Sequence, residues 1–184
     1  MRPRSITTRK GDDGGTELRN GRRVRKQDLR PEAYGTLDEA HAFIGLARSR
    51  CRTLQIKELL LRIQNHLYLI NSELASAPDQ TGRLPHRLGP EALADLERPL
   101  PAIEAELQLP PQFVLYGEME SSALLDVARA IIRRGERRVT ALHAAEPLAN
   151  PHLLAYLNRL SDALFLLARY EEKLNGVGLV HPEW

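Results

Sequence analysis

The sequence of 184 residues has little that would cross-link a fold covalently or embed it in a membrane. Its only cysteine is Cys51, which excludes an intramolecular disulfide and a cysteine-rich zinc site. No segment approaches the roughly 18 consecutive apolar residues that a membrane span needs. The first ten residues also lack the apolar core of a secretory signal. We therefore expect a cytoplasmic protein without a membrane partner.

Aromatic residues are scarce at 5%, and the formal net charge is only +2. Apolar residues nevertheless reach 42%, which is enough for a sizeable globular core. The charge is unevenly distributed, because residues 1–30 contain ten basic and four acidic side chains. Such a basic segment indicates an anionic partner, and nucleic acid and a polyphosphate both fit. A solvated basic tail is the alternative interpretation.

Apolar residues recur at spacings of three and four, which predicts an all-α protein. The predicted helices cover about residues 31–52, 54–77, 91–107, 118–143 and 151–175. Glycines between residues 5 and 28 break this periodicity and predict a loop with two short extended pieces. We expect one domain over residues 1–184, an antiparallel four- or five-helix bundle of the ferritin-like kind with an N-terminal glycine-rich loop extension.

The glycine-rich loop, residues 11–16, has the composition of a phosphate-binding loop or of an ordinary turn. Glycines let backbone N–H groups approach phosphate oxygens, while threonine, arginine and lysine side chains supply donors and positive charge. An acidic residue in the loop could hold Mg²⁺ through water. The loop lacks the Gly-Lys-Ser/Thr of a Walker A sequence.

Five arginines lie on the predicted helix 118–143, and their spacing divides them between different faces. At about 100° per residue, Arg129, Arg133 and Glu136 fall beside the apolar face, and Arg134 and Arg138 fall on its other flank. No aromatic residue interleaves with the arginines, so we predict no nucleic-acid partner. On the last helix a polar line adjoins the leucine seam and needs hydrogen-bonding partners if it is buried. Its members are Asn158, Ser161 and Asp162, with Phe165.

Five blocks, in order, resemble the PduO-type ATP:corrinoid adenosyltransferases. They are residues 8–16, 23–28, 32–39, 128–137 and 156–162. The resemblance spans about residues 6–169, and five ordered blocks are far more specific than any one. It implies an enzyme that transfers the 5′-deoxyadenosyl group of ATP to the cobalt of cob(I)alamin, releasing triphosphate. It further implies a homotrimer of helical bundles with sites at subunit interfaces, Mg²⁺, and a reductase or B12-dependent enzyme as a further partner.

The resemblance also implies a role for particular residues, with residues 1–30 as the nucleotide-binding segment. No residue is assigned as a metal ligand. Arg129 would pair with Asp38 across the interface beside the corrinoid, and Phe113 would help to remove the lower axial ligand of cob(II)alamin. Arg133 is the fourth residue assigned to catalysis and also contacts the nucleotide. The remaining nucleotide-binding residues are Thr7, Thr8, Arg9, Lys10, Gly15, Thr16, Lys26, Glu136, Arg137 and Asn158.

The chain departs from the family pattern at four places. Lys10 replaces a common threonine, and Asn20 stands where phenylalanine or glycine is usual. The other two departures are larger. Residues 116–119 replace the usual Pro-Gly-Gly-Ser/Thr, and Asp126 stands where the family has histidine. Both lie on the corrinoid side of the expected site. They leave open the alternative of a catalytically impaired relative that serves as an ATP- or corrinoid-binding sensor or chaperone.

Overall fold

The computed structural model describes residues 7–19, 21–77, 81–82 and 84–183. Two short strands precede the helices: β1 (Gly15–Glu17) and β2 (Arg23–Arg25). The helices are α1 (Leu29–Arg50), α2 (Leu54–Leu74), α3 (Pro90–Glu97), α4 (Leu100–Leu107), α5 (Glu120–Ala145) and α6 (His152–Leu174). None of the described helices combines the length and apolar character that crossing a membrane requires.

The long helices form the expected antiparallel bundle. Helix α1 packs against both α2 and α5, and α5 packs against α6, while α3 and α4 cover α6. Only three residues connect α1 to α2 and six connect α5 to α6. Such short connections place consecutive helices side by side in opposite directions. The prediction of an all-α bundle is therefore confirmed.

The apolar spacing identified the buried faces correctly. On α6 all five members of the predicted leucine seam are buried. These are Leu153, Leu157, Leu160, Leu164 and Leu167. On α5 the predicted face is buried from Ala128 to Leu142, and only Leu124 at its first turn remains partly accessible. The same period also places the arginines on the flanks of that face, as predicted.

The prediction of one helix over residues 91–107 is wrong, because the structure has two helices there. Helix α3 ends at Glu97 and α4 begins at Leu100. Pro99 and Pro101 have no N–H group, so the carbonyls of Asp95 and Glu97 cannot receive their i+4 helical hydrogen bonds. The apolar period continues across the interruption, which explains why periodicity alone did not reveal it.

The N-terminal segment folds as the predicted loop with two extended pieces. Strands β1 and β2 pair antiparallel, with Gly15 opposite Arg25. The hairpin is tied to the end of α2, since Arg19 N donates to Ala75 O at 2.9 Å. Helix α2 ends at Leu74 rather than at the predicted residue 77. Its last carbonyl instead accepts a hydrogen bond from a buried side chain, because Arg30 Nη1 donates to Leu74 O at 2.9 Å.

Candidate functional site

The glycine-rich loop is held by hydrogen bonds between its own backbone groups. Asp12 N donates to Arg9 O at 3.3 Å and Gly14 N to Gly11 O at 3.2 Å. Gly14 has φ +79°, a left-handed conformation that glycine adopts without strain. Thr8, Arg9 and Lys10 are exposed just before it. The sequence therefore forms a compact loop that is preceded by exposed cationic side chains.

Arg23 organises the loop from β2. Its Nη2 donates to both carboxylate oxygens of Asp13, at 2.6 and 2.7 Å, and to Lys10 O at 2.9 Å. The hydrogen bond from Gly15 N, followed by that from Arg23, lowers the pKa of the Asp13 carboxyl. A Cβ on Gly15 would lie 2.7 Å from Arg23 Nη2, so glycine leaves room for this guanidinium to cross the backbone where it does. Asp13 is thus a structural acid of the loop.

Lys26 brings a further positive charge to the loop. Its N–H donates to Gly14 O at 3.0 Å, which fixes its backbone beside the glycines. Its Nζ lies 3.2 Å from the point where a Cβ on Gly11 would stand. The ammonium group is therefore folded over the loop, as a residue that neutralises a bound polyphosphate must be.

The Thr16 side chain interacts with Tyr34 on α1. Burial raises the pKa of the Tyr34 hydroxyl, and a side-chain hydrogen bond with Thr16 opposes that shift. Tyr34 was not among the predicted site residues. It lies in one of the blocks that carry the resemblance, and its phenol fixes the Thr16 side chain.

Helix α5 has two flanks with different partners. Towards α1, Arg134 pairs with Glu39, and Arg138 pairs with Glu32 at 3.2 Å. Towards α6, Asn158 Nδ2 donates to Glu136 Oε1 at 3.1 Å. The structure thus brings together two predicted site residues, Asn158 and Glu136.

Arg133 and Arg137 lie between these partners and are exposed. In the described part of the chain neither arginine has an ion pair, whereas Arg134 and Arg138 on the same helix do. Two cations one turn apart on one helix, without an ion pair in the described part of the chain, can bind an external anion. This difference separates them from the structural arginines of α5.

The residues expected beside the corrinoid are only partly assembled in one chain. Arg129 lies 5.5 Å from the centroid of the Phe165 ring. Asp38 is exposed on α1. The Phe113 side chain is 77% exposed, and its carbonyl oxygen lies 2.8 Å from His181 Nδ1. The link that bears Phe113 is further held by Leu115 N, which donates to Val180 O at 2.8 Å.

The loop and the arginines of α5 occupy different parts of the chain. A cavity of about 450 Å³ lies between the hairpin and the C-terminal end of α5, where Leu142 and Glu146 line it. Arg133 precedes Leu142 by nine residues, which is about 14 Å along a helix at 1.5 Å per residue. One chain therefore presents two separate cationic surfaces, one on the hairpin and one on the middle of α5.

The sequence analysis did not find the buried ionic group between α5 and α6. Arg169 is 0% exposed and Asp126 is 5% exposed. Arg169 Nη2 donates to Asp126 Oδ2 at 2.8 Å and to Glu172 Oε1 at 2.9 Å. The available signal was Asp126, a carboxylate beside the apolar face of α5 that requires a buried partner.

Comparisons with known proteins agree with this architecture. Residues 6–171 match the family described as cobalamin adenosyltransferase. The chain is 39% identical to a corrinoid adenosyltransferase of Citrobacter freundii over 91% of this chain and 94% of that protein. It is also 39% identical to a corrinoid adenosyltransferase of Bacillus subtilis, over 97% of this chain and 92% of that one.

A solved structure also shares this fold. It is a variant of the PduO-type ATP:corrinoid adenosyltransferase from Lactobacillus reuteri complexed with cobalamin and ATP. The TM-score is 0.90 at 29% identity, with 97% of this chain and 99% of the other covered. Sequence and fold agree over nearly the whole chain, and the chain therefore belongs to the cobalamin adenosyltransferase family.

Proposed function

We propose that the protein is an ATP:corrinoid adenosyltransferase that converts cob(I)alamin and ATP into adenosylcobalamin and triphosphate. The observation that carries this proposal is the match of nearly the whole chain to relatives with this name, one of them solved with both cobalamin and ATP. The cationic loop supports it, as do Arg133 and Arg137 of α5, which have no ion pair with any described residue. They supply the binding groups that a triphosphate leaving group needs.

The reaction requires little of the protein besides positioning and electrostatics. The cobalt of cob(I)alamin carries the attacking electron pair and forms a bond to C5′ of ATP. The bond between C5′ and the triphosphate oxygen breaks, and its electrons leave with triphosphate. No side chain needs to act as nucleophile or general base. The chain must therefore align the two substrates and neutralise the leaving group.

The nucleotide half of the site consists of the loop and the middle of α5. Residues 7–10 with Gly15, Thr16 and Lys26 surround the triphosphate in this proposal. Arg133 and Arg137 add positive charge, and Glu136 is held by Asn158 to complete the site. Arg133 acts on the leaving group, so its positive charge stabilises the transition state, in which negative charge develops on triphosphate, more than the bound substrate.

The cationic surfaces on the hairpin and on the middle of α5 would each form half of a site. This supports a homotrimer in which the loop of one chain meets α5 of a neighbour. In cyclic assemblies each subunit can offer one half to the next, so every interface completes a site. The exposed Asp38 is then available to Arg129 across the same interface, and this pair borders the corrinoid. The exposed Phe113 ring excludes the lower axial ligand, which makes reduction of cob(II)alamin easier.

Mg²⁺ enters with the nucleotide in this proposal. No group of three or more His, Cys, Asp or Glu residues in the described chain could hold a metal ion. Asp13 is occupied by Arg23 and Gly15, while Asp12 is exposed on the loop. Mg²⁺ typically keeps several waters and binds substrate phosphates, so an ATP-borne ion fits this donor set. The protein is proposed to act in the cytoplasm, with a reductase or a B12-dependent enzyme as partner.

The activity is tested by an anaerobic assay of adenosylcobalamin formation from cob(I)alamin, with and without MgATP. ATP-dependent formation of the cobalt–carbon bond supports the proposal. Binding of ATP or corrinoid without product refutes it and favours the sensor or chaperone, in which residues 116–119 and Asp126 have abolished turnover. No binding of either substrate would leave only the fold in common with the family.

The shared site is tested with two inactive variants, Lys26→Ala and Arg133→Ala. They are mixed in equal amounts, their subunits are allowed to exchange, and adenosyltransferase activity is measured. Lys26 lies on the hairpin half and Arg133 on the α5 half. If chains mix at random, about a quarter of the interfaces combine two intact halves, and about a quarter of the activity returns. If each chain held a whole site, no activity would return.

A further inference from the structure

The buried ionic group between α5 and α6 is an unusual element in this bundle. Arg169 makes hydrogen bonds through one nitrogen, Nη2, to both Asp126 and Glu172. Its Nε lies 2.8 Å from Glu172 Oε2 as well. Its Nε and Nη1 have no hydrogen-bond partner among the described residues. The ion pairs with the two carboxylates nevertheless hold the buried guanidinium between α5 and α6, because moving it away would leave buried charges unpaired.

The same guanidinium contacts two aromatic rings. Arg169 Cζ lies 5.6 Å from the ring centroids of both Tyr116 and Phe165. These distances lie within the range of cation–π attraction, which is stronger when the cation is desolvated. Tyr116 is about half exposed on the link between α4 and α5. The buried arginine thus fixes an aromatic residue of a segment that has no regular secondary structure.

Arg129 is attached to both of these rings. Its guanidinium lies 5.5 Å from the Phe165 centroid, and its Nη1 donates to the Tyr116 hydroxyl at 3.4 Å. The four side chains form a closed circuit in which Arg129, Tyr116, Arg169 and Phe165 each contact the next. Tyr116 is exposed and Arg129 is partly exposed, whereas Arg169 is fully buried.

We propose that Arg169, held by Asp126 and Glu172, is a positioning residue that sets the orientation of Arg129 on the corrinoid side of the site. It acts through Tyr116 and Phe165 and touches neither substrate. This inference rests on the proposed function. It also gives a role to Tyr116 and Asp126, which both depart from the family pattern. Asp126 holds Arg169, and Tyr116 connects Arg169 to Arg129.

The decisive variant is Tyr116→Phe, which keeps the ring over Arg169 and removes only the hydroxyl that Arg129 donates to. Because Tyr116 lies at the surface, this change leaves the core intact. This hydrogen bond is exposed and long, so its loss corresponds to that of an ordinary hydrogen bond, a rise of about fivefold to tenfold in KM for corrinoid. KM for ATP should remain within about twofold. Asp126→Asn weakens the ion pair that holds Arg169, so it should also raise KM for corrinoid relative to KM for ATP.

The matched control is Arg159→Gln on the same helix. Arg159 also bonds two carboxylates, those of Glu97 and Asp162, but it lies at the surface. Among the described residues its recorded partners are these two carboxylates and none of the circuit, so both KM values should stay at the wild-type level.

The ratio of the two KM values separates positioning from a structural role. A merely structural change lowers the amount of folded enzyme and therefore kcat, but leaves both KM values unchanged. Equal rises in KM for ATP and corrinoid, or no change in Tyr116→Phe, would overturn the inference. If Asp126→Asn does not fold, Tyr116→Phe alone decides. Absence of adenosylcobalamin from the wild-type protein would instead refute the proposed function, which the same assay shows first.

Discussion

The contact between α1 and α5 depends on a glycine, and its replacement by alanine tests the packing of the bundle. A Cβ on Gly135 would lie 2.4 Å from Leu37 Cδ2 and 3.2 Å from Leu37 Cγ. Leu37 is fully buried, so its side chain has no free space into which to move. Overpacking of this kind costs about 1–3 kcal/mol, and we expect the upper part of that range.

The intrinsic helix preference acts in the opposite direction. Alanine is favoured over glycine in a helix interior by about 1 kcal/mol. The free energy of unfolding of Gly135→Ala should therefore fall by about 2 kcal/mol, the difference between a cost of about 3 and this gain. For a chain of this size such a loss lowers Tm by about 4–8 °C.

Gly35→Ala is the matched control in the neighbouring helix. Gly35 lies inside α1, and a Cβ there would meet nothing within 4 Å. The same chemical change should raise the free energy of unfolding by about 0.5–1 kcal/mol. Urea unfolding of both variants and wild type is measured at one protein concentration, because association would otherwise change the apparent stability. If Gly135→Ala is as stable as Gly35→Ala, the close approach of α1 and α5 is refuted.

The other predictions concern the site and the cysteine. Arg133→Ala should lower kcat/KM for ATP by about 100-fold or more, since one preorganised cation at the leaving group is lost. Arg134 pairs with Glu39, so Arg134→Ala should change kcat/KM for ATP little. Equal losses in both variants would refute the assignment of Arg133. Asp38→Asn should impair corrinoid turnover, measured by steady-state kinetics, more than ATP affinity, measured by titration. Equal losses of both would contradict the placement of Asp38 on the corrinoid side. Burial, and then the charge of Glu171, raises the pKa of the Cys51 thiol from 9.0 to about 12. At pH 8 its thiolate should be about 1000-fold scarcer than that of an ordinary thiol, so iodoacetamide should modify the unfolded chain but not the native one; rapid native labelling would refute the burial.

Helix positions and buried faces could be predicted because they depend on local periodicity. The leucine seam of α6 and the two flanks of α5 follow from 3.6 residues per turn alone. The break between α3 and α4 was missed because the apolar period continues through Pro99 and Pro101. Their missing N–H groups, and not their polarity, end the helix.

The candidate site residues were assigned from the resemblance and not from local periodicity, and they stay predictions. Asn158 and Glu136 were assigned separately, and the structure joins them by a hydrogen bond. The contact of Arg169 with Asp126 spans 43 residues of sequence, and neither residue signals the other. Contacts of this kind depend on how α5 and α6 pack, which local patterns do not encode.

The most direct test of the account is to measure adenosylcobalamin and triphosphate together in one anaerobic reaction of cob(I)alamin with MgATP. Attack of cobalt on C5′ predicts that the two products appear in equal amounts and that the triphosphate is released intact. Adenosylcobalamin would then form only when ATP is present. Release of inorganic phosphate or pyrophosphate without a cobalt–carbon bond would contradict the account, as would the absence of any ATP-dependent product.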